Sequence, residues 1–521
     1  MRITISKRDT SILKGFAILC IVFHNYFHWL NPNPGENEFT FSASRVENFF
    51  QLLGDEPGEW FNLLFSYLGH YGVQIFVLIS GFGLTISMIN RPRTWESFVL
   101  TRLKKLYPLL LSGILALFLG VILMDSRLLD KYTLIELKPK LLFIHTLIPD
   151  SGVSINGPWW FFALIFQLYL LFPLLFRWFK KWSWKAFVAV CVVSYGLIFL
   201  FRYRLTLYGG SIVMMNAPGH LPEFCLGMML ALQKDQKIGW GWLVLATVIF
   251  CLGNVYALFY PFTFLAISVI ALFAYQGLKH LPIKKQWLSR PLAYFGGISM
   301  TLFAVHGFFR KPVLTLAQNM QSSWGHFLSG LYFLLIVWAV AIAAKVFYDF
   351  LCRQLDKIHI RESRATHIIG RVCQVALGLL FAYILGYFIA QNIHKNTQTV
   401  TDLQLVESGE VHNDAQFVSL FNQEADKNMI SFDIQCSFDI SSQDTLVPLP
   451  ILVLDIPNSL WMKFEIPASY NTSTPQHFEM SYHYLRPFNQ IIKGKPIKLY
   501  FWAPNKRNSF TFENVQVTMI R

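Results

Sequence analysis

The stretch LKGFAILCIVFHNYFHWL, Leu13 to Leu30, is apolar over the depth of a bilayer, yet it opens beside Lys14 and carries His24, Asn25 and His28 inside it. An apolar run of about 20 residues with no small-residue cleavage site reads as a retained transmembrane helix, not a signal peptide. Polar side chains at that depth are costly and mark a functional or structural commitment.

Composition extends this reading to most of the chain. Of 521 residues, 54% are hydrophobic, 16% aromatic and only 14% charged, well short of the roughly one quarter charged in soluble domains. Apolar runs of about 20 residues lie near 11–30, 68–90, 102–124, 158–178, 184–202, 218–233, 239–256, 258–278, 292–312, 327–350 and 367–391, predicting an all-α polytopic membrane unit of about eleven helices.

The net charge of +14 does not point to nucleic acid, because the cations cluster in short loops between apolar runs. The loops at 91–98, 177–185, 233–237, 280–290 and 353–364 are rich in Lys and Arg, while NPNPGENEFT (31–40) and LGDEPGEW (53–60) are acidic. The positive-inside rule then predicts a cytoplasmic N-terminus and, with an odd span count, an outside C-terminus. The seven cysteines include no CxxC pair.

After Gln391 the texture changes. Segments such as MISFDIQCSF, PILVLDI, LWMKFEI, HFEMSYHYL and FTFENVQVTMI alternate apolar and polar residues, broken by turn residues. They predict an antiparallel β-sandwich. The expected division is a ten-helix membrane domain at 1–355, a loop and eleventh helix at 356–395, and an extracytoplasmic β-domain at 396–521.

Within the spans, Lys14 reads either as a snorkelling cation that orients its helix or as the charge for a phosphate-bearing ligand that reaches toward His24. His24 and His28 are spaced for a shared helix face, but the sequence shows no third metal ligand nearby, so no metal is expected. Arg102 and Lys105 are either topogenic or a phosphate clamp. Ser80 sits among close-packing glycines without a nucleophile context. Gln167 is helix–helix glue or a cavity residue, Glu223 lies in a Pro-interrupted segment, and His306 lies deep in its span. In the last domain Trp461, Tyr470, Tyr482, Tyr484, Tyr500 and Trp502 divide between core and sugar-stacking positions, with most expected in the core.

In their order, LKGFAIL…H, YGVQIFVLISGF, TRLKKLYP, PWWFFAL…YLLFP, LPEFCLGMML and GGISMTLFAVH resemble the acyltransferase-3 family over about residues 8–355. The resemblance implies transfer of an acyl group, often acetyl from acetyl-CoA, to a hydroxyl of a surface glycan or another envelope acceptor in a bacterial cytoplasmic membrane. It implies an acyl-CoA site at Lys14, Arg102 and Lys105, and His24 as the base, with Asn25 and His306 as alternates. A general base working directly on the acceptor and a covalent acyl-histidine are both open.

The chain also departs from the family pattern. Nine residues, not ten, separate Lys14 from His24, Ser11 stands where an acidic residue is common, and Ile165 and Phe166 replace carboxylates of the fourth span. A transporter with the same intramembrane polar residues is the alternative reading.

Overall fold

A computed structural model describes residues 3–124, 137–148, 151–204, 213–233, 238–280, 286–320, 322–357, 371, 401–406, 409–411, 417–425, 431–442, 449–457, 460–466, 470–485, 494–502 and 510–520. Two compact units emerge: a helical one within residues 1–373 and a β one within 374–521, with residues 204–207 grouped with the latter.

The helical unit comprises α1 (Lys7–Phe27), α2 (Ala43–Asp55), α3 (Trp60–Leu68), α4 (Gly72–Asn90), α5 (Trp95–Met124), α6 (Trp160–Trp182) and α7 (Trp184–Arg204). It continues with α8 (Ala217–Leu232), α9 (Gly241–Val255), α10 (Thr263–His280), α11 (Gln286–Val305), α12 (Arg310–Ala317) and α13 (Ser323–Asp356). Each apolar run from 11–30 to 327–350 falls on a helix, while the run at 367–391 lies outside the described residues.

Among the described residues, six helices are long and apolar enough to cross a membrane. A seventh span arises if α11 and α12, which meet at 88°, are counted as one. The expected eleven is not confirmed: among the described residues the apolar parts of α7 and α9 are shorter, and α8 has 16 residues. His306 sits at the α11–α12 break, where Nδ1 donates back to the carbonyls of Leu302 and Phe303, 3.2 and 3.0 Å away. The same N–H is thus shared between two carbonyls of the last turn of α11, of which that of Leu302 also accepts from the His306 backbone N–H at 3.0 Å.

α1 is central. Its start is a capping box: Ser6 Oγ accepts from Asp9 N–H, and the Asp9 carboxylate accepts from Ser6 N–H at 2.8 Å. Asp9 also accepts from Tyr275 (2.6 Å) and Lys279 (2.8 Å) of α10, which ties α1 to that helix. Glycines set the approach of the neighbours. A Cβ on Gly15 would strike the Leu292 carbonyl of α11, and one on Gly296 of α11 would strike the Ser11 carbonyl of α1. The same reciprocal arrangement joins α4 and α8 through Gly81 and Gly227. Membrane helices lack a strong hydrophobic drive to associate, so backbone-to-backbone packing of this kind carries much of the interaction.

The β unit holds β1 (Thr401–Val406), β2 (Gly409–Val411), β3 (Phe417–Glu424), β4 (Ser431–Ser442), β5 (Ile451–Ile456), β6 (Leu460–Glu465), β7 (Gln476–Leu485), β8 (Pro496–Trp502) and β9 (Phe510–Ile520). One sheet runs β1-β9-β4-β7 with β2 also on β9, and the other runs β3-β8-β5-β6. All described pairings are antiparallel. Inward residues of both sheets, among them Ile434, Phe438, Val517, Leu452, Leu454 and Leu499, form one core. That is the sandwich arrangement expected from the alternation.

Candidate active site

Lys14 and His24 share α1, ten residues and therefore about 15 Å apart along its axis. His24 is buried, and its Nδ1 lies 2.9 Å from the Ser66 carbonyl at the end of α3. A carbonyl only accepts, so Nδ1 carries the proton, and in the neutral ring Nε2 is left with the free lone pair. Gly69 permits this contact: a side chain there would press into the Cys20 carbonyl and the His24 Cβ, each 2.7 Å from its Cβ position.

Asn25, one residue on, turns 100° around the helix. Its side chain donates to the Ile21 carbonyl of its own helix at 3.0 Å. Asn25 is thus bonded to α1, whereas His24 looks toward α3 and the turn before α4. The His70 ring of that turn lies 5.5 Å from the His24 ring, and both of its nitrogens are buried with no hydrogen-bond partner. His306 also lies within electrostatic range of His24.

The loop after α1 completes the cluster. Arg45 Nη1 donates to the carbonyls of Glu36 (2.9 Å) and Thr40 (3.2 Å), and Asn37 and Ser42 bond each other. Tyr260 holds the Glu38 carbonyl at 2.7 Å. So fixed, the loop sets Glu36 Oε2 at 2.5 Å from His28 Nδ1. One ring nitrogen of His24 and one carboxylate oxygen each of Glu36 and Glu38 lie within 4.8 Å of one another. Burial pushes the Glu36 carboxyl up, but the His28 hydrogen bond and the neighbouring imidazoles outweigh it and hold the group at about 2. Glu38 is pushed well above its ordinary value by burial and by the Glu36 charge. His24, Glu36 and Glu38 are described residues that could hold a metal ion, provided Glu36 let go of His28. This corrects the expectation that no third ligand stands near His24: both carboxylates come from the loop.

Toward the N-terminal end of α1, half-buried Lys14 lies within electrostatic range of Arg102 on α5. The Arg102 guanidinium sits 5.1 Å from the Phe98 ring centroid and 6.0 Å from that of Tyr169, and Nη2 reaches Ser87 Oγ at 3.5 Å. Its Nε is buried without a partner. Among the described residues neither cation is paired with a carboxylate. Lys105 is exposed, and its neighbour Lys104 donates to the Leu355 carbonyl at 3.0 Å.

Gln167 is glue. It donates to Asn216 and accepts from the Ala217 N–H at 2.9 Å, which caps the start of α8. Asn216 in turn bonds Thr146. Glu223 accepts from His220 Nδ1 at 2.7 Å, with both side chains buried and the imidazole stacked between Trp160 and Phe264. Ser80 is half-buried beside the Gly81–Phe224 contact. The sequence reading missed Glu36, Glu38, His70 and Ser66. The signals were present: an acidic, turn-rich loop directly after the histidine-bearing helix, and a histidine just ahead of YGVQIF.

A multi-pass membrane protein thus emerges, with a buried imidazole bonded through Nδ1 to a backbone carbonyl and, among the described residues, a pair of cations without carboxylate partners on the same helical unit. The chain belongs to the acyltransferase-3 family, whose acyltransferase-domain model matches residues 10–348. No curated protein and no solved structure matches the chain. Membership makes the helical unit a membrane acyltransferase.

Proposed function

We propose that the protein moves an acyl group, acetyl in the simplest case, from acyl-CoA to a hydroxyl of a cell-envelope glycan, with His24 as general base. The observation that carries this reading is the Nδ1–Ser66 bond, which leaves Nε2 free to take a proton. The CoA phosphates meet Lys14 and Arg102, and the pantetheine arm runs along α1 toward His24. The acceptor hydroxyl gives its proton to Nε2 as its oxygen attacks the thioester carbonyl. The C–S bond breaks, the acyl group stays on the acceptor oxygen, and the CoA thiolate leaves with the proton returned by the imidazolium.

The Glu36 carboxylate favours the imidazolium as it forms. Asn25 donates one amide N–H to the Ile21 carbonyl. With Lys14 on the cytoplasmic side of a bacterial inner membrane, donor and acceptor approach from opposite faces.

The test uses the full chain in lipid nanodiscs with radiolabelled acetyl-CoA and an extract of envelope glycans. Lys14→Ala and Arg102→Ala should each raise the donor KM about tenfold, as expected for losing a charge-assisted phosphate contact. Lys105→Ala should change it less than about twofold, because an exposed lysine offers a screened interaction. Equal effects at all three positions would remove the structural distinction between them. A gene deletion that leaves the mass of every surface glycan unchanged would remove the glycan acceptor.

A further inference from the structure

The outer face of the β3-β8-β5-β6 sheet carries aromatic rings where an alternating strand normally shows polar groups to water. Trp461 of β6 is 52% exposed and Phe417 of β3 is 58% exposed, with Tyr500 and Trp502 of β8 beside them. Tyr482 and Tyr484, by contrast, are buried in the sandwich core and half-buried Tyr470 packs against it, so half of the six candidate aromatics and not most of them belong to the core.

These rings are fixed. Trp461 Nε1 donates to the Tyr500 hydroxyl at 3.1 Å, the two indoles lie 5.6 Å apart at 62°, and Phe417 meets Tyr500 at 5.6 Å. Beneath them Val453 of β5, register partner of both Tyr500 and Lys463, has no exposure although it points outward. The Lys463 ammonium lies 4.7 Å from the Trp461 ring centroid and 4.6 Å from that of Trp502. Asp455 is matched across the strands to Lys498, while among the described residues Lys463 has no carboxylate partner.

We infer that this face binds an anionic polysaccharide. A sugar ring presents an apolar C–H face with polar edges, which suits rigid, half-wet indole and phenol rings. The uncompensated ammonium between the indoles gives the charge complement for a uronic-acid carboxylate. Preorganised rings lose little entropy when a ligand lands on them. Binding at this face is read without any acyl donor.

The experiment titrates the full chain in nanodiscs with polygalacturonate, with neutral dextran as the control, and follows tryptophan fluorescence. Saturable binding of polygalacturonate is expected, weakened at least tenfold by Trp461→Ala and by Trp502→Ala. Lys463→Gln should bring the affinity for polygalacturonate down toward that for dextran. An unchanged melting temperature of the Trp461→Ala protein shows that its fold survives removal of an exposed ring. Absence of polygalacturonate binding, or binding indifferent to both tryptophans, overturns the proposal. So does flotation with phosphatidylglycerol vesicles that depends on Trp461 when polygalacturonate does not compete, since the face would then be a lipid-headgroup surface.

Discussion

His24→Gln should lower acyl transfer by roughly 10²- to 10⁴-fold, the range for loss of a positioned general base, at undiminished levels of folded protein. Asn25→Ala should keep most of the activity. The two residues are neighbours, and the family's usual spacing would favour position 25. The proposal favours His24 instead, because Asn25 is bonded to its own helix at Ile21 while the Ser66 carbonyl orients His24 from outside its helix. A full-rate His24→Gln enzyme alongside an inactive Asn25→Ala enzyme would transfer the role to position 25.

Chelation of the wild-type enzyme separates a base from a ligand. If His24, Glu36 and Glu38 worked through a bound cation, dialysis against EDTA would abolish wild-type activity and added zinc would restore it. With His24 as base, EDTA should leave the rate unchanged. The full-chain enzyme in nanodiscs gives both readings in one assay.

What could be read from the chain alone follows a physical division. The helices were legible because a 20-residue apolar run has few alternatives, and the strands because alternation has a period that no helix shares. His24 and Lys14 were legible because each is a polar group in an apolar helix. The orienting partner of His24 was not legible, since a backbone carbonyl looks the same at every position and only the fold brings Ser66 to the ring.

Glu36 and Glu38 were hidden in another way. Their loop is acidic enough to be taken as solvent-facing, and only the bonds from Arg45 and Tyr260 fold it over the end of α1. Arg102 and Lys105 looked equivalent by spacing, but burial distinguishes them. Gln167 reads as a cavity group or glue, and the structure adds its bond to the Ala217 amide.

The second large effect is on assembly. Gly15→Ala and Gly296→Ala should each destabilise the helical unit by about 3 kcal/mol or more, since a single added carbon must displace backbone and not a flexible side chain. At both positions the new Cβ would overlap a main-chain carbonyl of the facing helix. A carbonyl inside a helix cannot move without breaking its own i to i−4 bond, so relief comes only from spreading α1 and α11 apart. Spreading these helices would move α1, which carries Lys14 and His24, relative to Ser66 and Arg102. The variants that do fold should therefore lose activity more than their melting temperatures alone account for.

The control lies in glycines with open space around them. Gly83→Ala in α4 and Gly277→Ala in α10 meet nothing within 4 Å and should be neutral or stabilising by up to about 1 kcal/mol, the helix-propensity gain. Fluorescence-monitored melting of the four proteins in one detergent provides the comparison. If Gly15→Ala and Gly296→Ala melt with Gly83→Ala, the α1–α11 contact is looser than drawn. The placement of His24 would then need another support than backbone-to-backbone packing.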